Sequence, residues 1–380
     1  MRAVLVKFGD VALEFRAAAS PAPEFEGGNR YVRDFVRATE ASDVLMLSLG
    51  ESDSAMRDGR VNAYAKRLRP VPGGLFGRVE LALGVGWLRS QILRFHPDIV
   101  VCLDTGPPAA MCARVCESLS ARLVVVATTD IAGTGRGRRL RVRDAVRALG
   151  SDSTLAVLAC SSAIRSQVEP LVRSGVVVTV YHPDYRLLAA ADSLAVSSSE
   201  RSRDVVFVGR LAAVKGSDRI GGIARAAADA GGRLVVIGDG PDMDAVRAEV
   251  ATIGLEAAVE FAGTLPHRKV MDRMAGARAV VVPSRSEGVA KVAIEALIAG
   301  TPVVAFGVGG IGDVVIDGAN GRLVPAGDLV AFHGAVSEVL NDDEEWRSLV
   351  HGAESSRDEL INRGPTFGEA LRVVLGGGGT

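Results

Sequence analysis

Short aliphatic runs recur along most of this chain, and each ends on Gly, Asp, Ser or Thr before a segment of helix length. In the first half they are Ala3–Val6, Val44–Leu49, Ile99–Leu103, Leu123–Ala127, Leu155–Leu158 and Val176–Val180. Runs that are apolar without strict alternation suit strands buried on both faces, which is the condition of a parallel sheet covered by helices. Between them, Glu80–Phe95 and Ala109–Leu119 read as helices, and His96-Pro97-Asp98 stops one helix and starts a strand. Ser161-Ser162 is an N-cap for a helix over Ala163–Ser174. This rhythm predicts a doubly wound α/β domain.

The rhythm breaks near Arg186. Ala189–Ala195 is followed by the polar run Ser197 to Arg203, which reads as a linker. A second α/β series then begins at Asp204, with strands Val205–Val208, Leu234–Ile237, Val259–Phe261, Ala279–Val282 and Pro302–Phe306. Its helices fall at Ser217–Ala230, Met243–Ile253, Arg268–Ala275, Val292–Ala299 and Leu329–Leu340. The reading is therefore a first domain over 1–186, a linker over 187–203 and a second domain over 204–343. Residues 344–380 are expected to hold C-terminal helices that pack back on the first domain, and a disordered Gly376–Gly379 tail.

Length and composition agree with two domains. The 380 residues exceed what one core usually fills. The hydrophobic share is 48% but the aromatic share is 4%, so the cores must be built from Val, Leu, Ala and Ile. A formal net charge of −1 supplies no global field for nucleic acid. Cys102, Cys112, Cys116 and Cys160 form no CxxC pair, and Cys112 and Cys116 share a helix face without nearby histidines. They read as small core residues, not metal ligands or a disulfide framework. No secretory signal or membrane-spanning run is visible, so a cytoplasmic location is expected. One basic stretch, Arg136 to Arg147, follows Gly133 and Gly135. It reads either as a solvated loop and helix start or as a peripheral contact to a phosphorylated or membrane-bound acceptor.

The residues suited to chemistry lie in the second half. Gly209-Arg210 and Lys215-Gly216 follow the strand Val205–Val208, and ligands of open α/β sheets gather at such strand ends. A planar guanidinium and an ammonium there can neutralise a diphosphate. Gly238-Asp239-Gly240-Pro241 follows the next strand and permits close backbone approach. Pro283-Ser284-Arg285-Ser286 leads into Glu287, and Glu295 lies inside the following helix. The start of that helix is a ready anion site. Glu287 beside it can accept from sugar hydroxyls, and Glu295 is costly in an apolar run unless it finds a partner such as a ribose diol. Gly307, Gly309 and Gly312 spell GxGxxG, but no further βαβ series and no acidic strand end follow, so a dinucleotide fold is not expected.

Together these segments resemble the retaining glycosyltransferases of the GT-B fold, family 4, with its E-x7-E motif. The resemblance runs from Val205 to Pro325. It is carried by FVGRLAAVKG at 207–216, LVVIGDGP at 234–241, FAGTLP at 261–266 and VVPSRSEGVAKVAIEALIAGTPVVAFGVGGIGDVVIDGANGRLV at 281–324. It implies two Rossmann-like domains facing a central cleft and transfer of a sugar from a nucleotide diphosphate sugar, a UDP-sugar first, to a hydroxyl acceptor. That acceptor would be a natural product, a lipid or a polysaccharide precursor. No cofactor or metal is implied. Arg210 and Lys215 match the pair that binds the diphosphate and stabilises the leaving nucleotide, and Glu287 matches the glutamate beside the transferred sugar. Glu295 matches the ribose glutamate. Gly288, Val289, Ala290 and Lys291 match the loop whose amides touch sugar and phosphate, and Gly209 and Gly238 the strand-end glycines. Leu265 lies in the stretch near the base, and Gly9 matches the N-terminal loop facing the diphosphate.

Two departures stand out. Many members have glycine at Ala290 and a small apolar residue at Lys291. Many also carry a histidine after the fourth strand, where this chain reads Thr128-Thr129-Asp130. Thr129, Asp130 and His182 are therefore the acceptor-side candidates. The rival readings are a nucleotide-sugar epimerase on the same plan and a catalytically inactive nucleotide-sugar-binding partner.

Overall fold

The computed structural model describes residues 1–18, 29–68, 75–131, 138–186 and 201–376. Most of the expected linker, 187–200, lies outside them, as do Gly133, Gly135, Arg136 and Gly377–Gly379.

The chain divides into two compact units. In the first, β1 (Arg2–Phe8), α1 (Val11–Ala18), α2 (Asn29–Ala38), β2 (Asp43–Gly50), β3 (Ser54–Asp58) and β4 (Val61–Arg67) precede the long α3 (Leu75–Phe95). Then come β5 (Ile99–Cys102), α4 (Pro107–Leu119), β6 (Arg122–Ala127), α5 (Arg138–Leu149), β7 (Thr154–Ala159), α6 (Ser162–Val168) and β8 (Val177–Val180). Their eight strands order as β3-β4-β2-β1-β5-β6-β7-β8. All neighbours pair in parallel except β3 with β4. The central strands are buried on both faces, which is why their sequences are continuous aliphatic runs. Ser161 caps α6 as its position predicts, accepting from the Ile164 amide.

The second unit runs through β9 (Asp204–Val208), α7 (Ile220–Asp229), β10 (Arg233–Ile237), α8 (Met243–Thr252), β11 (Val259–Gly263) and α9 (His267–Ala275). It continues through β12 (Ala279–Val282), α10 (Lys291–Ile298), β13 (Val303–Phe306), β14 (Gly321–Val324), α11 (Leu329–Asn341) and α12 (Asp343–Asn362). Its sheet is wholly parallel, in the order β11-β10-β9-β12-β13-β14. That is the doubly wound Rossmann order, in which successive crossovers reverse direction beside the first strand.

The unit boundaries differ from the sequence-based division. The units are Met1–His182 with the tail from Gly364, and Pro183–Arg363. Residues 344–362 therefore belong to the second unit. Trp346, Leu349 and Val350 of α12 are buried in its core, and the Trp346 indole donates to the Arg278 carbonyl at 2.9 Å. The last helix, α13 (Phe367–Gly376), packs on the first unit. There Phe367 meets Tyr31 and Tyr181 edge-on, with ring centroids 5.0 and 5.5 Å away.

The four cysteines are free and buried. A hydrogen bond to Cys112 and burial push the Cys102 thiol well above its ordinary range, and burial raises Cys116, so neither is a ready nucleophile. Among the described residues no helix is long and apolar enough to cross a membrane, and no three His, Cys, Asp or Glu side chains gather as a metal site.

Candidate functional site

The order of the second sheet decides where side chains can meet. β9 lies between β10 and β12, and its two crossovers leave in opposite directions. The loops leaving the carboxyl ends of β9 and β12 therefore flank the topological switch point, where such sheets hold ligands.

Those loops carry Lys215 and Glu287, and the fold joins them across 72 positions of sequence. A one-turn 3-10 helix, Ala213–Lys215, follows Gly209-Arg210 and presents Lys215. Its Nζ donates to Glu287 Oε1 at 2.7 Å and Oε2 at 2.8 Å. The Ser284 hydroxyl, itself buried, donates to the same Oε1 at 2.6 Å. Glu287 is only 9% exposed, so a carboxylate that desolvation would penalise is held by a cation and a hydroxyl. The Arg285 amide donates to the Val214 carbonyl at 2.9 Å and ties the two loops at the backbone.

Two glycines are required by contact. Gly309 has φ +54°, and a Cβ on it would lie 1.7 Å from the Glu287 carbonyl oxygen. Gly309 thus presses its loop against the back of Glu287, whereas a Cβ on Gly307 or Gly312 would meet its nearest neighbours only at 3.5 Å or more. Gly238 has φ +130°, and its Cβ would lie 2.0 Å from the Gly209 carbonyl. The loops after β9 and β10 touch there because neither carries a side chain.

Arg210 is exposed, and its guanidinium has no hydrogen bond or ion pair among the described residues. Nearby cations are otherwise committed. Arg285 grips Asp218 through two contacts of 2.6 Å, and that pairing holds the Asp218 carboxyl below its usual range. Arg219 donates to the Pro283 carbonyl at 2.8 Å.

The stretch Gly288, Val289, Ala290 and Lys291 leads into α10. Ala290 stands at the N-cap and no side chain caps the helix, so its first amides face their surroundings without a protein carboxylate or hydroxyl. Along α10, Ala293, Ile294, Ala296, Leu297 and Ile298 are buried. Glu295 is the one acidic group in that helix, and its Oε1 lies 3.3 Å from His267 Nε2 at the start of α9. Leu265 is half-buried in the segment just before His267.

In the first unit, Gly9 follows β1 at φ +105° and its amide donates to the Leu49 carbonyl at 3.0 Å. Just below it Lys7 pairs with Glu14. Thr129 is exposed and Asp130 half-buried after β6. His182, after β8, is drawn into a one-residue parallel bridge with Thr366, its amide donating to the Pro365 carbonyl at 2.9 Å. It is thus paired to the tail at the backbone. These groups all leave carboxyl ends of strands in one sheet.

One residue escaped sequence reasoning. Asp104 follows β5, between β1 and β6 in the sheet, and accepts from the Thr105 amide at 2.8 Å. Burial pushes its carboxyl above the usual range. An acidic residue directly after an apolar strand, in Leu103-Asp104-Thr105-Gly106, was its signal. His267 ends the stretch Gly263–His267 expected near the base, but its approach to Glu295 carried no signal.

The family model described as glycosyl transferases group 1 matches residues 192–356, which lie within the second unit. Among curated proteins, a 2-deoxystreptamine N-acetyl-D-glucosaminyltransferase of Streptomyces fradiae is 36% identical over 153 residues, 39% of this chain and 36% of that protein. A D-inositol 3-phosphate glycosyltransferase of Acidothermus cellulolyticus is 37% identical over 164 residues, again 39% of this chain and 36% of that protein. The chain spans about a third of the length of these curated relatives. Among solved structures, Anabaena Alr3699/HepE in complex with UDP superimposes with a TM-score of 0.69 at 17% identity, covering 99% of each chain. WaaG, a glycosyltransferase involved in lipopolysaccharide biosynthesis, gives 0.67 at 16% identity over 100% of each. These structures share with the chain a fold of two α/β units with Rossmann-like sheets.

Proposed function

We propose that this protein is a retaining glycosyltransferase of the E-x7-E type, which moves a sugar from a nucleotide diphosphate sugar to a hydroxyl acceptor. The observation that carries this is the convergence of Lys215, Glu287 and Ser284 at the switch point of a group 1 domain, beside an unpaired Arg210.

Breaking the anomeric C–O bond leaves negative charge on the departing diphosphate. Arg210, Lys215 and the uncapped start of α10 supply positive potential for that charge, and groups that act more strongly on the transition state than on the bound donor raise the rate. Such a set replaces a divalent metal. Glu287, fixed by Lys215 and Ser284, accepts hydrogen bonds from hydroxyls of the transferred sugar, while the loop Gly288 to Lys291 borders sugar and phosphate, its Lys291 amide already donating to the Val289 carbonyl. Glu295 accepts from the ribose, and Leu265 lies by the base. Gly209, Gly238 and Gly9 let loop backbones come close to the donor. Thr129, Asp130 and His182 serve the acceptor. A UDP-sugar is the favoured donor, supported by a fold shared with a UDP complex. The exposed Arg139, Arg143 and Arg147 of α5 offer a peripheral contact to an anionic membrane face from a cytoplasmic location.

The test is donor turnover. Glu287→Ala and Lys215→Ala are expected to stay folded and lose sugar transfer. Near-wild-type turnover at saturating donor in either variant refutes the site. A thermal-shift panel of UDP-, GDP-, ADP- and dTDP-sugars identifies the donor, because a ligand that binds the folded state raises its melting temperature.

A further inference from the structure

Two arginines of the second unit meet at the carboxyl end of α10. Arg201, just ahead of β9, has a side chain only 1% exposed. Its Nη1 donates to the Gly300 carbonyl at 2.9 Å and to the Thr301 hydroxyl at 3.0 Å, which answers the partial negative charge at that helix end. Its Nε is buried without a hydrogen-bond partner. Its Nη2 lies 4.0 Å from the nearest carboxylate among the described residues, that of the half-exposed Glu354. Arg357, on α12, also has a buried Nε without a partner, and its guanidinium makes no hydrogen bond or ion pair among the described residues. Both Nη2 atoms lie 3.3 Å from the point where a Cβ on Gly300 would stand, so the two guanidiniums converge on one spot. Burial, opposed by Glu354 and joined by the Arg357 charge, holds Arg201 below the ordinary guanidinium pKa.

The Nε–Nη2 edge of a guanidinium is the fork that takes two oxygens of an oxyanion. Two such edges are open side by side here, and buried donors beside a like charge are costly without an acceptor. We propose that Arg201 and Arg357 form a binding site for a phosphate group, as the free ion or as a phosphate monoester, beside Gly300. A tetrahedral dianion brings acceptor oxygens for both forks, and the charge that one carboxylate at 4.0 Å does not supply. Arg357 is partly exposed and Glu354 more so, which opens the site to solvent on that side. It lies at the opposite end of α10 from Lys291, about 12 Å away along a helix of that length. It shares no residue with the proposed donor pocket, and so stands apart from the glycosyltransferase reading.

The experiment measures binding of inorganic phosphate and of glycerol 3-phosphate to the full chain by calorimetry and thermal unfolding, with sodium chloride at matched ionic strength as the control. The double variant Arg210→Ala/Lys215→Met removes the cations of the donor pocket and should retain one phosphate site. Adding Arg357→Ala to it should weaken that site by about tenfold or more, the scale of one charge-assisted hydrogen bond. Phosphate should raise the melting temperature of the double variant beyond the chloride effect, and should cease to do so once Arg357 is gone. Without phosphate, adding Arg357→Ala should not lower the melting temperature, because it removes a cation that faces another. Tighter binding of glycerol 3-phosphate marks a monoester as the ligand, and equal or weaker binding marks the free ion. A double variant that binds neither probe beyond the chloride effect overturns the site, as does an unchanged affinity after Arg357→Ala. A marked early melting of the Arg357→Ala protein without phosphate would give that arginine a structural task and overturn the site as well.

Discussion

Replacing Lys215 with Met and Glu287 with Gln, singly and together, tests whether the two loops of the switch point are held by charge. Lys215 makes contacts of 2.7 and 2.8 Å to a carboxylate that is 9% exposed. Breaking a fully buried pair by removing one partner costs about 3–5 kcal/mol, because the other charge is stranded. Here the Lys215 side chain is 35% exposed, so water partly takes its place. A coupling of about 1–2 kcal/mol follows once that screening is allowed for. Scanning calorimetry of the full chain reads it directly. For a unit of this size 1 kcal/mol moves the melting temperature by about 2–4 °C. Lys215→Met should therefore lower the transition of the second unit by about 2–8 °C, since Glu287 retains only Ser284. Adding Glu287→Gln should recover most of that loss, because the stranded charge is gone while the Ser284 contact survives. If the double variant loses the sum of the single losses to within about 0.5 kcal/mol, the residues are independent and the pairing argument is wrong.

Arg210 has no protein partner, so Arg210→Ala should change stability by less than about 0.5 kcal/mol in thermal unfolding while raising the donor KM steeply; a large loss of stability would mean it has a structural task. Gly309→Ala places a methyl 1.7 Å from the Glu287 carbonyl at φ +54°, and should cost about 2–3 kcal/mol in calorimetry and displace the carboxylate. Wild-type-like donor turnover in that variant would contradict the close approach. His333 is held below its ordinary pKa by burial. The unfolded chain then binds the extra proton first, so this histidine stabilises the fold above about pH 6.5 and that stability is lost as pH falls through the folded value. The melting temperature should fall on acidification from pH 7 towards 5, and His333→Gln should flatten that slope; an unchanged slope refutes it.

What could be read from the sequence tracks burial. The central strands of both sheets are covered on two faces, so each shows as an unbroken aliphatic run, and Ala279–Val282 was placed to the residue. The β3–β4 hairpin was missed because it lies at the sheet edge with a mostly polar, partly exposed pattern, although Asp58-Gly59 marks its turn. The last strand, Gly321–Val324, is short and half-exposed and gave no run to detect. Individual site residues were legible from type and spacing, as with Glu287 and Glu295. Their partners were not, because Lys215 meets Glu287 only through the strand order, and His267 meets Glu295 only through the packing of α9 on α10. The allocation of α12 and α13 to different units likewise turned on Trp346 and Phe367, large apolar residues that do not announce which core they enter.

Affinity of the unmodified chain for UDP against uridine reports most directly on the grip proposed for the leaving diphosphate. With Arg210, Lys215 and the open start of α10 acting on phosphate oxygens, two charge-assisted contacts of about 1.5–3 kcal/mol each predict that UDP binds at least about a hundredfold more tightly. Equal binding of the two by calorimetry would show that these cations do not hold a pyrophosphate, and would contradict the account.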